Sequence, residues 1–312
     1  MNPRVNINGV CVVAPTAFHL DGRIDYDSID RMTDSFLAFG VNGIAVLGQM
    51  GEAPKLDHQE GLDVARRVID RSRMPVIVGV SAPGFAAMKW LAGNVMDSGA
   101  AAVMIAPPSS LKTDDQIATY YHLATQAIGT DVPIVIQDYP LNFNVTMSPN
   151  VIRRIVMENP SCTVLKHEDW PGLEKISTLR KFESDGSLRH ISILCGNGGL
   201  FLDFETERGA DGAMTGYCFP DVLVEIVRLA KLGDRDAAHD LFDLHLPLIR
   251  YEQQLNIGLA VRKYVLMRRG ILTSDTQRKP AVGLSEQART EIDYLLLRIA
   301  RTDSRARLES PS

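Results

Sequence analysis

The sequence predicts an α/β fold, a closed (β/α)₈ barrel with a C-terminal helical appendage. Three observations carry this. Short β-branched apolar runs alternate with longer segments of helical period, the signature of βα units that build a parallel sheet buried on both faces. Eight such runs occur at fairly regular spacing before residue 220, and only helical patterns follow. Eight units favour a closed ring over an open sheet. A doubly wound sheet is the competing arrangement, but no GxGxxG follows the first run, where that fold would hold a dinucleotide.

In chain order, strands are predicted over residues 10–15, 43–47, 75–80, 101–105, 133–137, 163–166, 191–195 and 212–214. Helix starts between them are marked by caps. Asp57 with Glu60, and Thr113 with Gln116, form capping-box patterns ahead of apolar residues at helical spacing. Ser148 followed by Pro149 is a third start, because proline at the first helical position forfeits no needed N–H. Beyond the strands, helices are predicted over residues 222–232, 236–251, 257–269 and 285–301. The expected organisation is a barrel over residues 1–232 that holds the active site, a helical region over 233–302, and a disordered tail over 303–312.

Composition narrows the function. A chain of 312 residues, 45% hydrophobic and 23% charged, can bury a large core. A net charge of -5 gives no basic footprint, so no nucleic-acid partner is expected. Cys11, Cys162, Cys195 and Cys218 lie far apart without metal or redox spacing, and the seven histidines form no ligand pattern. No metal or cofactor is expected, and the cysteines read as reduced thiols of a cytoplasmic protein. The first residues lack a signal-peptide pattern, and no run is long enough to span a bilayer.

A barrel places its chemistry at the C-terminal ends of its strands, so the polar residues that close the apolar runs are the candidates. Lys166 closes the sixth run. A buried ammonium is costly unless it is paired or loses its proton, and desolvation is one way a lysine becomes a nucleophile. The alternative is a structural lysine paired with Glu168 or Asp169. Gly48, Gln49, Met50 and Gly51 form a turn after the second run. Its backbone N–H groups could converge on a carboxylate, or its glycines could serve only a tight turn of positive φ. Gln137 and Tyr139 share parity at the end of the fifth run and point the same way, into the barrel mouth or into simple packing. Gly196 and Asn197 follow the seventh run and Thr215 ends the eighth. A glycine-rich loop after strand seven is also where many barrels bind phosphate, so a phosphosugar ligand stays open.

Together these residues resemble the dihydrodipicolinate synthase and N-acetylneuraminate lyase family. The likeness runs from Pro15–Phe18 with Asp21 and Gly22, through Gly40, Gly43 and the glycine turn, to Lys166, residues 209–216 and Lys279 with Pro280. The resemblance implies a homo-oligomeric barrel, tetramer or dimer, whose strand-six lysine, here Lys166, forms a Schiff base with pyruvate or another 2-oxo acid. It implies that the turn of residues 48–51 holds the substrate carboxylate. The sequence departs from the synthases at four places. Gln49 and Met50 stand where they carry two threonines, Gln137 replaces the relay tyrosine, Ser109 stands near its partner tyrosine, and uncharged Asn142 lies near the expected arginine. An amide cannot shuttle a proton as a phenol does, so dihydrodipicolinate synthesis by the usual relay is expected to be absent.

The expected function is that of a lyase, aldolase or dehydratase, acting on a 2-oxo acid. Lys166 would be the nucleophile, Tyr139 the general acid/base and Gln137 an orienting group, with Gly196, Asn197 and Thr215 contacting the rest of the substrate. The alternative is a barrel that binds a 2-oxo acid or phosphosugar without turning it over.

Overall fold

The structure, a computed structural model, describes residues 7–170 and 172–308. Its eight strands are β1 (Gly9–Val13), β2 (Gly43–Val46), β3 (Val76–Gly79), β4 (Ala102–Ile105), β5 (Ile134–Asp138), β6 (Cys162–His167), β7 (Ser192–Cys195) and β8 (Gly212–Thr215). They pair in sequence order, all parallel, and β8 closes on β1 through the register Cys11 to Met214. The predicted closed barrel is what forms, and each predicted strand coincides with one of the eight.

The helices in chain order are α1 (Tyr26–Ala38), α2 (His58–Arg71), α3 (Phe85–Asp97), α4 (Asp114–Ile128), α5 (Pro140–Phe143), α6 (Pro149–Glu158), α7 (Leu173–Ser184), α8 (Leu202–Glu207), α9 (Pro220–Leu232), α10 (Arg235–Glu252), α11 (Gly258–Arg268) and α12 (Glu286–Ile299). Both capping boxes form, Asp57 with Glu60 and Thr113 with Gln116, and Ser148 caps α6 with Pro149 just inside it. Each cap satisfies N–H groups that have no intrahelical partner. None of these helices is long and apolar enough to cross a membrane.

Strand parity divides the core in two. Val10, Val12, Ile44, Val46, Ile134, Ile136 and Leu165 face outward and join the helices in one large apolar cluster. Cys11, Val13, Ala45, Val135, Val164, Leu194 and Met214 face inward and fill the barrel. This alternation follows from the two-residue repeat of a strand. It means that the next inward position beyond the last inward residue of a regular strand stands at the barrel mouth.

The expected disordered tail is corrected over residues 303–308. Asp303 starts a turn of 3₁₀ helix at Ser304–Ala306, accepts from the buried His245 ring and pairs with Arg305, while Ala306 is buried. A terminal segment is ordered when it is tied down, and here Asp303 supplies a charged partner for a buried histidine. Residues 309–312 lie outside the described part.

Candidate active site

Parity places four residues at the C-terminal mouth of the barrel. Lys166 follows Val164, Gln137 follows Val135, Gly196 follows Leu194 and Gly216 follows Met214. Lys166 and Gln137 are register partners on adjacent strands. The two glycines leave space that other side chains occupy: a Cβ on residue 196 would collide with Glu168, and one on residue 216 with the Met50 thioether. A cavity of about 410 Å³ opens above this layer.

Glu168 organises the floor. Its Oε2 lies 3.2 Å from Lys166 Nζ and accepts from Gln137 Nε2 at 2.7 Å. All three side chains are buried, Lys166 at 5% exposure and Glu168 at 6%. Asn197 donates from its side chain to the Glu168 carbonyl at 2.8 Å, and the Glu168 N–H donates to the Asp138 carbonyl at 2.8 Å. The carboxylate is therefore held by β5, β6 and the β7 loop together. Of the two acidic neighbours of Lys166 in sequence, Asp169 pairs with Lys175 instead, at 2.7 Å. Glu168 is the residue that sequence reasoning undervalued. Its signal was its parity, two positions beyond Lys166.

The turn after β2 is not shaped by glycines of positive φ. Its positive φ angles fall on Leu47 and Glu52, not on Gly48 or Gly51. The N–H groups of Gly51 and Glu52 donate within the turn, to the carbonyls of Gly48 and Gln49. Among the described residues nothing accepts from the N–H of Gln49 or Met50, and both residues line the cavity. Gly48 and Gly51 do not line it, and Gly48 borders a neighbouring cavity of about 520 Å³ reaching to His58 and Leu91. Below the turn, the Glu52 carboxylate accepts from Lys263 Nζ at 2.6 Å and from Lys55 Nζ at 2.9 Å. Helix α11 thus anchors the turn through a buried ion pair.

The β7 loop does not offer a phosphate cradle. Gly196, Gly198 and Gly199 already donate their N–H groups to the His167 carbonyl, Thr215 Oγ1 and the Gly196 carbonyl. A cradle needs several unengaged N–H groups aimed at one point. Asn197 and Thr215 line the cavity, whereas Gly196 lies behind Glu168. Tyr139 also lines it, as the N-cap of α5 with its ring edge-on to Phe143. Burial, reinforced by the Glu168 charge, holds the Tyr139 phenol above its ordinary pKa.

The remaining wall comes from the helical region. Arg262, 9% exposed, donates from Nε to Glu252 Oε2 at 2.8 Å and from Nη1 to Met50 Sδ at 2.9 Å. Gln49, Asn142, Gln253, Gln254, Asn256 and Gln277 also line the cavity, together with the apolar Val13, Leu255 and Leu259. No local pattern marked residues 252–262 as part of the site, because their contribution depends on how α10 and α11 dock on the barrel.

The chain matches the Dihydrodipicolinate synthetase family over residues 6–299. It belongs to that family. The match confirms the resemblance and makes the protein a lyase of the dihydrodipicolinate synthetase family. Among curated relatives, the L-2-keto-3-deoxyarabonate dehydratase of Azospirillum brasilense is 28% identical over 94% of this chain and 93% of its own. The 4-hydroxy-tetrahydrodipicolinate synthase of Chlorobium luteolum is 27% identical over 92% and 95%. Among solved structures, that of dihydrodipicolinate synthase from Rhodopseudomonas palustris superposes with a TM-score of 0.94 at 64% identity, covering 95% of this chain and 99% of that one. The dihydrodipicolinate synthetase family thus includes both synthases and a sugar-acid dehydratase among this chain's relatives.

Proposed function

We propose that this protein is a Schiff-base-forming lyase that cleaves or dehydrates a polyhydroxylated 2-oxo acid on Lys166. The observation that carries this reading is a buried lysine at a strand end, 3.2 Å from a carboxylate, on the floor of a cavity. Lys166 passes a proton to Glu168, and the free amine adds to the C2 carbonyl. The carbinolamine hydroxyl leaves as water with the proton that Glu168 returns, so the iminium nitrogen carries the charge the ammonium had. That cation is the electron sink for the next step.

Glu168, ionised again, removes the C3 proton to give an enamine. Tyr139, kept protonated by its raised pKa, delivers a proton to the departing C4 hydroxyl and is reprotonated from Glu168. Retro-aldol cleavage would start from the same iminium, with the base acting on the C4 hydroxyl. Water finally hydrolyses the iminium and frees Lys166. Gln137 orients Glu168 and moves no proton. The unengaged N–H groups of Gln49 and Met50 take the C1 carboxylate.

The amide-rich lining supports a hydroxylated substrate, since amides donate and accept and so match hydroxyl groups. The amide at Gln137 and the uncharged Asn142 argue against dihydrodipicolinate synthesis in this chain. Four buried, unpaired cysteines suit a reducing cytoplasm, and family membership supports a homo-oligomer.

Incubation with pyruvate and borohydride, followed by peptide mass spectrometry, tests the reading. A reduced pyruvate adduct on Lys166 is expected. If neither pyruvate nor larger 2-oxo acids modify Lys166, the Schiff-base function is wrong.

A further inference from the structure

Two donor groups beside the cavity have no acceptor among the described residues, one of them buried. Gln253 Nε2 is fully shielded from solvent and unpartnered. Arg262 uses Nε on Glu252 and Nη1 on a thioether, a weak acceptor, while Nη2 has no protein partner among the described residues. Both groups converge on one point of the β7 loop: a Cβ on Gly198 would collide with Gln253 Nε2 and lie 3.3 Å from Arg262 Nη2. Gly198 is in the left-handed region at φ 67°, so glycine is favoured there on both counts. Gln253 and Arg262 line the same cavity as Lys166.

A buried donor without an acceptor is costly to maintain, and its retention beside a cavity points to an acceptor supplied by a ligand. Glu252 balances the guanidinium charge through Nε, and the two groups without an acceptor are both N–H donors, one on a guanidinium, which matches an oxyanion better than a hydroxyl. The Nη1–Nη2 end of a guanidinium fits the two oxygens of a carboxylate. It lies on the side of the cavity formed by the β7 loop and α11, while the C1 carboxylate and C2 are assigned to the residue 49–50 turn and Lys166.

We propose that Arg262 and Gln253 bind a second carboxylate at the far end of the substrate, so that the enzyme acts on 2-oxo dicarboxylic acids carrying hydroxyl groups between the two ends. This rests on the Schiff-base reading above and narrows its substrate class. The guanidinium comes from the C-terminal helical region rather than from the barrel loops.

The test compares two five-carbon probes that differ only at the far end, 2-oxoglutarate and 2-oxopentanoate, by the concentration that half-saturates borohydride trapping on Lys166. The wild-type protein is expected to favour 2-oxoglutarate by about tenfold or more, the usual scale for a charge-assisted pair. Arg262→Gln should abolish that preference, and Gln253→Leu should weaken it. Equal half-saturation by the two acids in the wild-type protein would overturn this inference alone, whether or not the variants fold. An absence of any adduct with any 2-oxo acid would overturn the Schiff-base reading and this inference with it.

Discussion

Gly196 and Glu168 share one volume at the barrel mouth: the space where residue 196 would carry a Cβ is filled by the Glu168 side chain. The glycine after β7 therefore sets where the carboxylate beside Lys166 can stand. Gly196→Ala should displace Glu168 and reduce turnover by about a hundredfold, the scale of an ångström-sized misplacement of a reacting group. Steady-state kinetics on the identified 2-oxo acid, with a thermal melt to confirm folding, checks this. Unchanged turnover would mean that the position of Glu168 does not matter.

Glu168→Gln keeps the size of the side chain but removes the base. The initial rate of adduct formation on Lys166 is expected to fall by about 10²- to 10⁴-fold, the range for general acid–base catalysis. Glu168→Asp should recover part of it. A trapping rate equal to wild type in Glu168→Gln would assign proton transfer to another group.

Lys263 is fully buried and donates to Glu52 and to the Thr276 carbonyl. Lys263→Met leaves the buried Glu52 carboxylate with the partly exposed Lys55 as its one ion-pair partner among the described residues. Breaking one side of a buried ion pair typically costs roughly 3–5 kcal/mol, and Lys55 places the expected loss near the lower end. Chemical denaturation measures it. Because Glu52 ends the turn that carries the Gln49 and Met50 N–H groups, the half-saturating pyruvate concentration should rise as well.

Glu205 predicts a pH dependence of stability. Burial pushes its carboxyl up to about 7 against an ordinary 4.5, so in the folded protein it holds its proton where the unfolded chain has lost it. The contribution is complete below pH 4.5 and is lost as pH rises through about 7. Glu205→Gln removes the titration. The variant should therefore be more stable than wild type at pH 8 by roughly 3 kcal/mol, with little difference at pH 4.5. Thermal midpoints of both proteins across this range decide the matter, and parallel curves would refute it.

The barrel was legible in the sequence because its signals are local. Short apolar runs, two capping boxes and a proline-marked helix start depend only on neighbours in the chain, and all of them appear where expected. Lys166, Gln137 and Tyr139 could be singled out for the same reason, since each closes or follows an apolar run at the end of the barrel that holds the chemistry. The parity that placed them there also carried Glu168, but a carboxylate two residues from a lysine reads equally well as a structural partner.

What only the tertiary structure decided are the relations between distant residues. Met50 rests on Gly216, Arg262 reaches Met50, Lys263 reaches Glu52 and Asp303 reaches His245. These contacts exist because β8 closes on β1 and the last helices fold back over that end of the barrel. A sequence pattern records which face of an element a residue occupies. Which faces meet is set by packing, and packing determined that the far wall of the site comes from the helical region.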